Sequence, residues 1–183
     1  LHDALPISSD YSELSLASKF GVDLADAAPL LQATRQVADS LGICFHVGSQ
    51  AMTPFAYVQA MERVRAAIVD ASVTVDIIDV GGGFPSIYPG MEPPPLEDYF
   101  GAIYRAAESL PVSYSSELWC EPGRALCAEY NSMVVRVERR RGNELYINDG
   151  AYGALYDAAH VGWRFPVRCL NEARDGAEEA FAF

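Results

Sequence analysis

The run VTVDIIDVGGGFPS, residues 73–86, limits what this chain can become. Nearly continuous β-branched residues describe a parallel strand covered on both faces. That strand runs straight into three glycines and a proline. Either the backbone makes a tight turn there, or bare N–H groups are being offered to a phosphate.

The segments around it alternate. The stretch ELSLASKF has mild strand character, and APLLQATRQVADSL places Leu30, Leu31, Thr34, Val37, Ala38 and Leu41 at helical spacing. GICFHVGS reads as a strand ending in a glycine–serine turn. Thr53 then caps a helix with Pro54 at its first position, and Phe55, Val58, Met61, Val64 and Ile68 form its apolar face. After the glycines come a proline-rich surface loop, YPGMEPPPLED, and a helix with Leu96, Tyr99, Phe100, Ile103 and Leu110 inward. SSELWCEPGR is a strand closed by a Pro-Gly turn. Beyond about Ala128 the texture changes: SMVVRVERR and NELYINDG flank an RGN hairpin turn, and GWRFPVRCL offers one more strand.

Three strand–helix repeats imply a parallel α/β layer, and the strands that follow imply a separate antiparallel module. A closed eight-unit barrel takes about 250 residues, against roughly 120 here, so the layer is an open sheet or part of a barrel. The opening LHDALPIS has no periodicity joining it to the rest and no initiator Met. Residues 1–7 are therefore set aside as an unrelated leader, residues 8–127 as the α/β layer and 128–183 as part of a β-domain.

Bulk properties exclude some functions. A net charge of −12 opposes a nucleic-acid surface and an anionic membrane surface. No apolar run approaches the roughly 20 residues of a membrane span. Cys44, Cys120, Cys127 and Cys169 form no C-x-x-C pair and read as reduced thiols of a cytoplasmic protein. His2, His46 and His160 are too scattered for a metal cluster, so no metal is expected.

GGGFPS imitates a dinucleotide fingerprint, but that motif must open a helix directly, and Pro85 and the following loop prevent it. The stronger signal is repetition. Three successive strands end in small residues plus selected polar groups: His46 and Ser49, then Gly81, Gly82 and Gly83, then Glu121, Gly123 and Arg124. Ligands of α/β folds sit at such carboxyl ends. Glycine amides and a guanidinium suit a phosphate, an imidazole suits an aromatic ring, and a carboxylate suits a ring nitrogen. Together they suggest a phosphorylated aromatic cofactor, although His46 taken alone also fits a core histidine.

FHVGSQ, DVGGGFP, CEPGRAL and YINDGAYGALYDAAH stand in the order found in alanine-racemase-fold pyridoxal-phosphate decarboxylases, and the chain resembles the ornithine and lysine decarboxylases among them from about Ser15 to Arg168. The resemblance implies a partial β/α (TIM-like) barrel followed by part of an antiparallel β-domain, acting as a homodimer on a basic amino acid. It puts His46 against the cofactor ring and Ser49, Gly81, Gly82, Gly83, Gly123 and Arg124 around the phosphate of pyridoxal 5'-phosphate. It pairs Glu121 with the pyridine nitrogen, and it brings Tyr156 and Asp157 of LYD to the substrate amine. Without the resemblance, Tyr156 and Asp157 read equally well as an ordinary turn.

Gln50 departs from the pattern, standing where eukaryotic ornithine enzymes carry Gly. HVGSQ also resembles diaminopimelate decarboxylases, which makes them the alternative, with a non-catalytic relative, a racemase and a barrel for another phosphate ligand further behind. The family's lysine that bonds the cofactor aldehyde lies on an earlier strand. Lys19, the only lysine, resembles a later SKFG segment and is assigned no such role. The family's C-terminal Cys-Asp segment is not matched either. The piece alone is therefore expected to be inactive. His160, Trp119 and Trp163 are assigned to structure, RVERRRGN to a solvated hairpin and the acidic end to solvent.

Overall fold

The computed structural model describes residues 4–5 and 21–171. ELSLASKF, with Lys19, and nearly all of the acidic end lie outside the described residues. The chain forms two compact units, Leu1–Ser86 with Pro93–Ala128, and Ile87–Glu92 with Glu129–Phe183.

The first unit is a parallel sheet of four strands in chain order, β1 (Ala4–Leu5), β2 (Gly42–Phe45), β3 (Ile77–Asp79) and β4 (Glu117–Trp119). Gly42, Ile43 and Cys44 pair with Ile77, Ile78 and Asp79, which pair in turn with Glu117, Leu118 and Trp119. Ala4–Leu5, set aside on sequence as leader, instead pairs with Cys44–Phe45 as an edge strand. Two residues are too few for a period of two to register.

Helices α1 (Leu24–Arg35), α2 (Phe55–Ala71) and α3 (Leu96–Glu108) connect these strands. Ile43, Phe45, Ile78 and Val80 join α2 and α3 in one core with Met61, Val64, Ile68, Tyr99 and Ile103. Because side chains alternate across a strand, Cys44 and Asp79 point to the other face.

Two helices differ from the periodic reading. α1 stops at Arg35, leaving Val37 86% exposed. The Arg35 guanidinium ends it by donating to the Ala38 and Asp39 carbonyls and to Asp76 Oδ2, the last at 2.7 Å. Asp76 Oδ2 also accepts Leu41 N–H, and that bond, with Arg35, holds the carboxyl below its usual range. In α2 the buried stripe is Tyr57, Ala60, Met61, Val64, Ala67, Ile68 and Ala71, while Phe55 is 52% exposed. Four of the buried residues of α2 are alanines, which a count of large apolar residues overlooks. Thr53 Oγ1 accepts Phe55 N–H at 3.3 Å, as expected of a cap beside Pro54.

In the second unit, β5 (Val137–Arg141) and β6 (Glu144–Ile147) form an antiparallel hairpin whose turn uses Gly142 at φ +60°. The third strand expected in GWRFPVRCL is not formed. Pro166 has no N–H for a ladder, and Trp163 and Phe165 instead pack on Tyr88, with ring centroids 5.6 and 5.9 Å away. Trp163 thus packs as expected. Trp119 of the first unit is 43% exposed and donates its indole N–H to Glu117 at 2.9 Å. Among the described residues no helix is long and apolar enough to cross a membrane.

Met61 is 1% exposed in the middle of the α2 stripe. Met61→Ala in the intact protein is expected to lower unfolding free energy by about 2–5 kcal/mol, read from urea denaturation.

Candidate functional site

The carboxyl ends of β2, β3 and β4 run into the three loops singled out by sequence, and the sheet register brings the loops side by side. Val80 N–H donates to Trp119 O at 2.9 Å, and Glu121 N–H to Gly81 O at 2.8 Å, so the β3–β4 pairing continues past the strands into the glycine turn. On the other side Ala51 N–H donates to Gly83 O at 2.9 Å. The glycine loop is therefore bonded along both flanks.

Each glycine of the triplet is demanded by a neighbour. A Cβ on Gly81 would land on the Phe45 carbonyl oxygen and one on Gly83 on the Gly48 carbonyl oxygen, and both residues have positive φ, +66° and +95°. A Cβ on Gly82 would stand 2.8 Å from Glu121 O and 3.1 Å from His46 Nε2. Close packing of three strand ends thus requires these glycines before any phosphate is considered. Around Gly123, which caps the short helix α4 (Arg124–Cys127), no described atom lies within 4 Å of a Cβ position.

Gly81 N–H donates to Asp79 Oδ1 at 2.8 Å, so that donor is engaged within the turn. Arg124 Nη2 lies 3.5 Å from Ser49 Oγ, so the guanidinium at the end of β4 reaches the hydroxyl after β2. A guanidinium and a hydroxyl thus meet at the strand ends that border the glycine loop, and both are groups that suit a phosphate.

His46 Nδ1 accepts Gly48 N–H at 2.9 Å. That bond places the proton of the neutral ring on Nε2 and fixes the imidazole beside Gly82. Burial pushes its pKa below the ordinary value, and the Glu121 carboxylate opposes this only in part. Glu121 is exposed at the mouth, and one of its carboxylate oxygens, one of Asp79 and Cys44 Sγ all lie within 4.8 Å of one another. Burial, followed by Asp79 and Glu121, pushes the Cys44 thiol up to about 12. It is a neutral S–H, and the Phe45 carbonyl oxygen accepts from it at 3.8 Å.

Three supports were not read from sequence. Gln50, 1% exposed and at φ +57°, bonds both backbone groups of Ser86: its Nε2 donates to the carbonyl at 2.5 Å and its Oε1 accepts the N–H at 3.1 Å. Tyr57 donates its hydroxyl to Gly82 O at 3.0 Å, and Tyr99 to Ala51 O at 2.7 Å. Both tyrosines are fully buried. Tyr99 was assigned to the core by spacing, and the only further signal was a hydroxyl where phenylalanine would fill the same space.

Tyr156 and Asp157 belong to the second unit, on α5 (Tyr156–His160). Tyr156 stacks on His160 at 4.2 Å, and Asp149 ties the preceding turn by accepting Gly150 and Ala154 N–H.

Residues 7–128 match the family model for the pyridoxal binding domain of pyridoxal-dependent decarboxylases. The chain belongs to that family. It is 27% identical over 176 residues to a lysine/ornithine decarboxylase of Selenomonas ruminantium, covering 92% of this chain and 44% of that one. A diaminopimelate decarboxylase of Neisseria meningitidis is 33% identical over 161 residues, 79% of this chain and 38% of that one. The crystal structure of a Vibrio vulnificus lysine/ornithine decarboxylase complexed with cadaverine superposes with a TM-score of 0.73 at 27% identity, covering 86% and 44%. The chain thus spans less than half the length of these relatives. As in the family's solved structures, the fold is α/β.

Two measurements check the electrostatics of this pyridoxal binding domain in the intact protein. In ¹⁵N NMR, His46 is expected to show the Nε2–H tautomer near neutral pH and to titrate below the free value of about 6.5. With iodoacetamide, Cys44 is expected to react after Cys127 and Cys169. Its thiolate appears only as pH rises far above the free value of about 8.5, toward the raised pKa.

Proposed function

We propose that the parent protein is a pyridoxal-phosphate-dependent carboxy-lyase that converts L-ornithine or L-lysine to the corresponding diamine in polyamine biosynthesis. The observation that carries this is the convergence of His46, Ser49, Gly82, Gly83, Glu121 and Arg124 at one end of a sheet within a pyridoxal binding domain. Four parallel strands are read as consecutive staves of a partial β/α barrel, and residues 128–183 as part of a β-domain. A homodimeric, cytoplasmic parent belongs to the same reading.

When bound, pyridoxal phosphate supplies an electron sink for the pair left on Cα as the carboxyl group departs as carbon dioxide. The residues then have separate tasks. Ser49, the Gly82 and Gly83 amides, Gly123 and Arg124 hold the phosphate. His46 lies against the ring and, being neutral, adds no positive charge there. Glu121 accepts a hydrogen bond from the pyridine nitrogen and keeps its proton in place. Asp79 and Cys44 stand beside Glu121, a carboxylate and a neutral thiol. Tyr156 and Asp157 contact the substrate, the carboxylate pairing with the distal ammonium of a diamino acid. The lysine that bonds the cofactor aldehyde is assigned outside this chain, so the 183-residue piece alone is read as inactive.

A second reading, diaminopimelate decarboxylase, is favoured by Gln50 after Ser49 and by the identity to the Neisseria enzyme. Its substrate carries a carboxylate at the distal end, which an Asp157 contact opposes.

Full-length protein with pyridoxal phosphate is expected to release carbon dioxide from L-ornithine or L-lysine. Inactivity on both, with cofactor absorbance intact and meso-diaminopimelate consumed, would transfer the assignment to the second reading. In the same protein Glu121→Ala is expected to lower kcat about a hundredfold or more while cofactor affinity changes far less. Equal losses in both would remove the electronic role.

A further inference from the structure

The glycine turn carries a pattern of hydrogen bonds beyond what a tight turn needs. Gly82 and Gly83 contribute the two amides assigned to the phosphate, and the carbonyl of each corresponding peptide is itself an acceptor. Gly82 N–H shares its peptide with Gly81 O, which receives Glu121 N–H at 2.8 Å. Gly83 N–H shares its peptide with Gly82 O, which receives the Tyr57 hydroxyl at 3.0 Å. The first of these bonds is backbone, and the second comes from a side chain.

Tyr57 is fully buried, stacked on Phe84 with centroids 4.9 Å apart and edge-on to Tyr99 at 6.0 Å. Phenylalanine would fill that space without placing an oxygen in the core. Burying a hydroxyl is unfavourable unless it is bonded, and this one is aimed at a single carbonyl. Burial also holds the phenol well above its usual pKa, so it remains an O–H donor. A hydrogen bond accepted by a peptide carbonyl draws electron density from the amide nitrogen and makes the N–H on the same plane a stronger donor.

We propose that Tyr57 is a positioning residue of the phosphate cup: its hydroxyl holds and polarises the Gly82–Gly83 peptide so that Gly83 N–H binds a phosphate dianion more tightly. This rests on the reading of the mouth as a phosphate cup. Tyr99 provides the comparison. Its hydroxyl is equally buried and bonds Ala51 O at 2.7 Å, but that peptide carries the N–H of Met52, which is not assigned to the cup.

The experiment uses the full-length protein, freed of cofactor, as wild type, Tyr57→Phe and Tyr99→Phe. Dissociation constants are measured for pyridoxal phosphate and for pyridoxal. The two share ring and aldehyde, so their ratio isolates the phosphate. The ratio is expected to fall about twofold in Tyr57→Phe, the fraction of a charge-assisted hydrogen bond that cooperative polarisation carries. It is expected to stay at the wild-type value in Tyr99→Phe, and the ³¹P resonance of bound cofactor is expected to move only in Tyr57→Phe. An unchanged ratio in Tyr57→Phe, or equal falls in both variants, overturns the proposal and leaves the cup standing. A wild type that does not prefer the phosphorylated ligand removes the cup itself, and the proposal with it. If Tyr57→Phe does not fold, 3-fluorotyrosine at position 57 decides the matter. Its more acidic hydroxyl must raise the ratio, and any other result overturns the proposal.

Discussion

Glycine loop 81–83 lies so close to its neighbours that each strand end is built against the next. Gly81 and Gly83 fit under the carbonyl oxygens of Phe45 and Gly48, and Gly82 fits between Glu121 O and the His46 ring. A single Cβ anywhere in this triplet would push β2 or β4 aside. The positions of His46, Ser49, Glu121 and Arg124 relative to one another all follow from that contact, because each sits two to five residues beyond a paired strand residue. The glycines therefore serve geometry first and donor chemistry second.

Holding the loops takes more than backbone pairing. A turn of three glycines has high conformational entropy in the unfolded chain, and ordering it needs partners for its polar groups. Asp79, Tyr57, Ala51 and Glu121 supply them from four directions. Gln50 adds a two-point bond to Ser86, closing the far end of the same loop. It does so at φ +57°, a conformation that glycine would adopt more easily. The side chain at this position thus accepts local strain in exchange for a clamp on the loop that follows the glycines.

The parallel layer and the mouth were legible in the sequence because they depend on short-range signals. A β-branched run, a glycine triplet, and the spacing from Glu121 to Arg124 each mark their own strand end. Signals that depend on packing were not legible. The stripe of α2 turned out to be alanine-rich, and its key member, Tyr57, was absent from the apolar face drawn by large residues. The end of α1 depends on Arg35 reaching Asp76, 41 residues away, which no local window contains. Likewise the expected strand in GWRFPVRCL failed because Trp163 and Phe165 found Tyr88, in a loop far upstream.

The charges of the mouth add one more constraint. Asp79, Cys44 and Glu121 stand close together, yet they do not act as three equal acids. Cys44 stays protonated because two carboxylates and burial disfavour its thiolate. It therefore adds no charge, and Asp79 accepts Gly81 N–H through Oδ1. Only Glu121 remains exposed, at the end of β4, with a carboxylate behind it that favours a neighbouring positive charge. A protonated ring nitrogen meeting Glu121 would gain from both carboxylates, whereas a neutral one would leave them repelling each other across less than 5 Å. The site is thus biased toward the cationic form of whatever aromatic base it receives, and a neutral His46 beside it avoids opposing that bias.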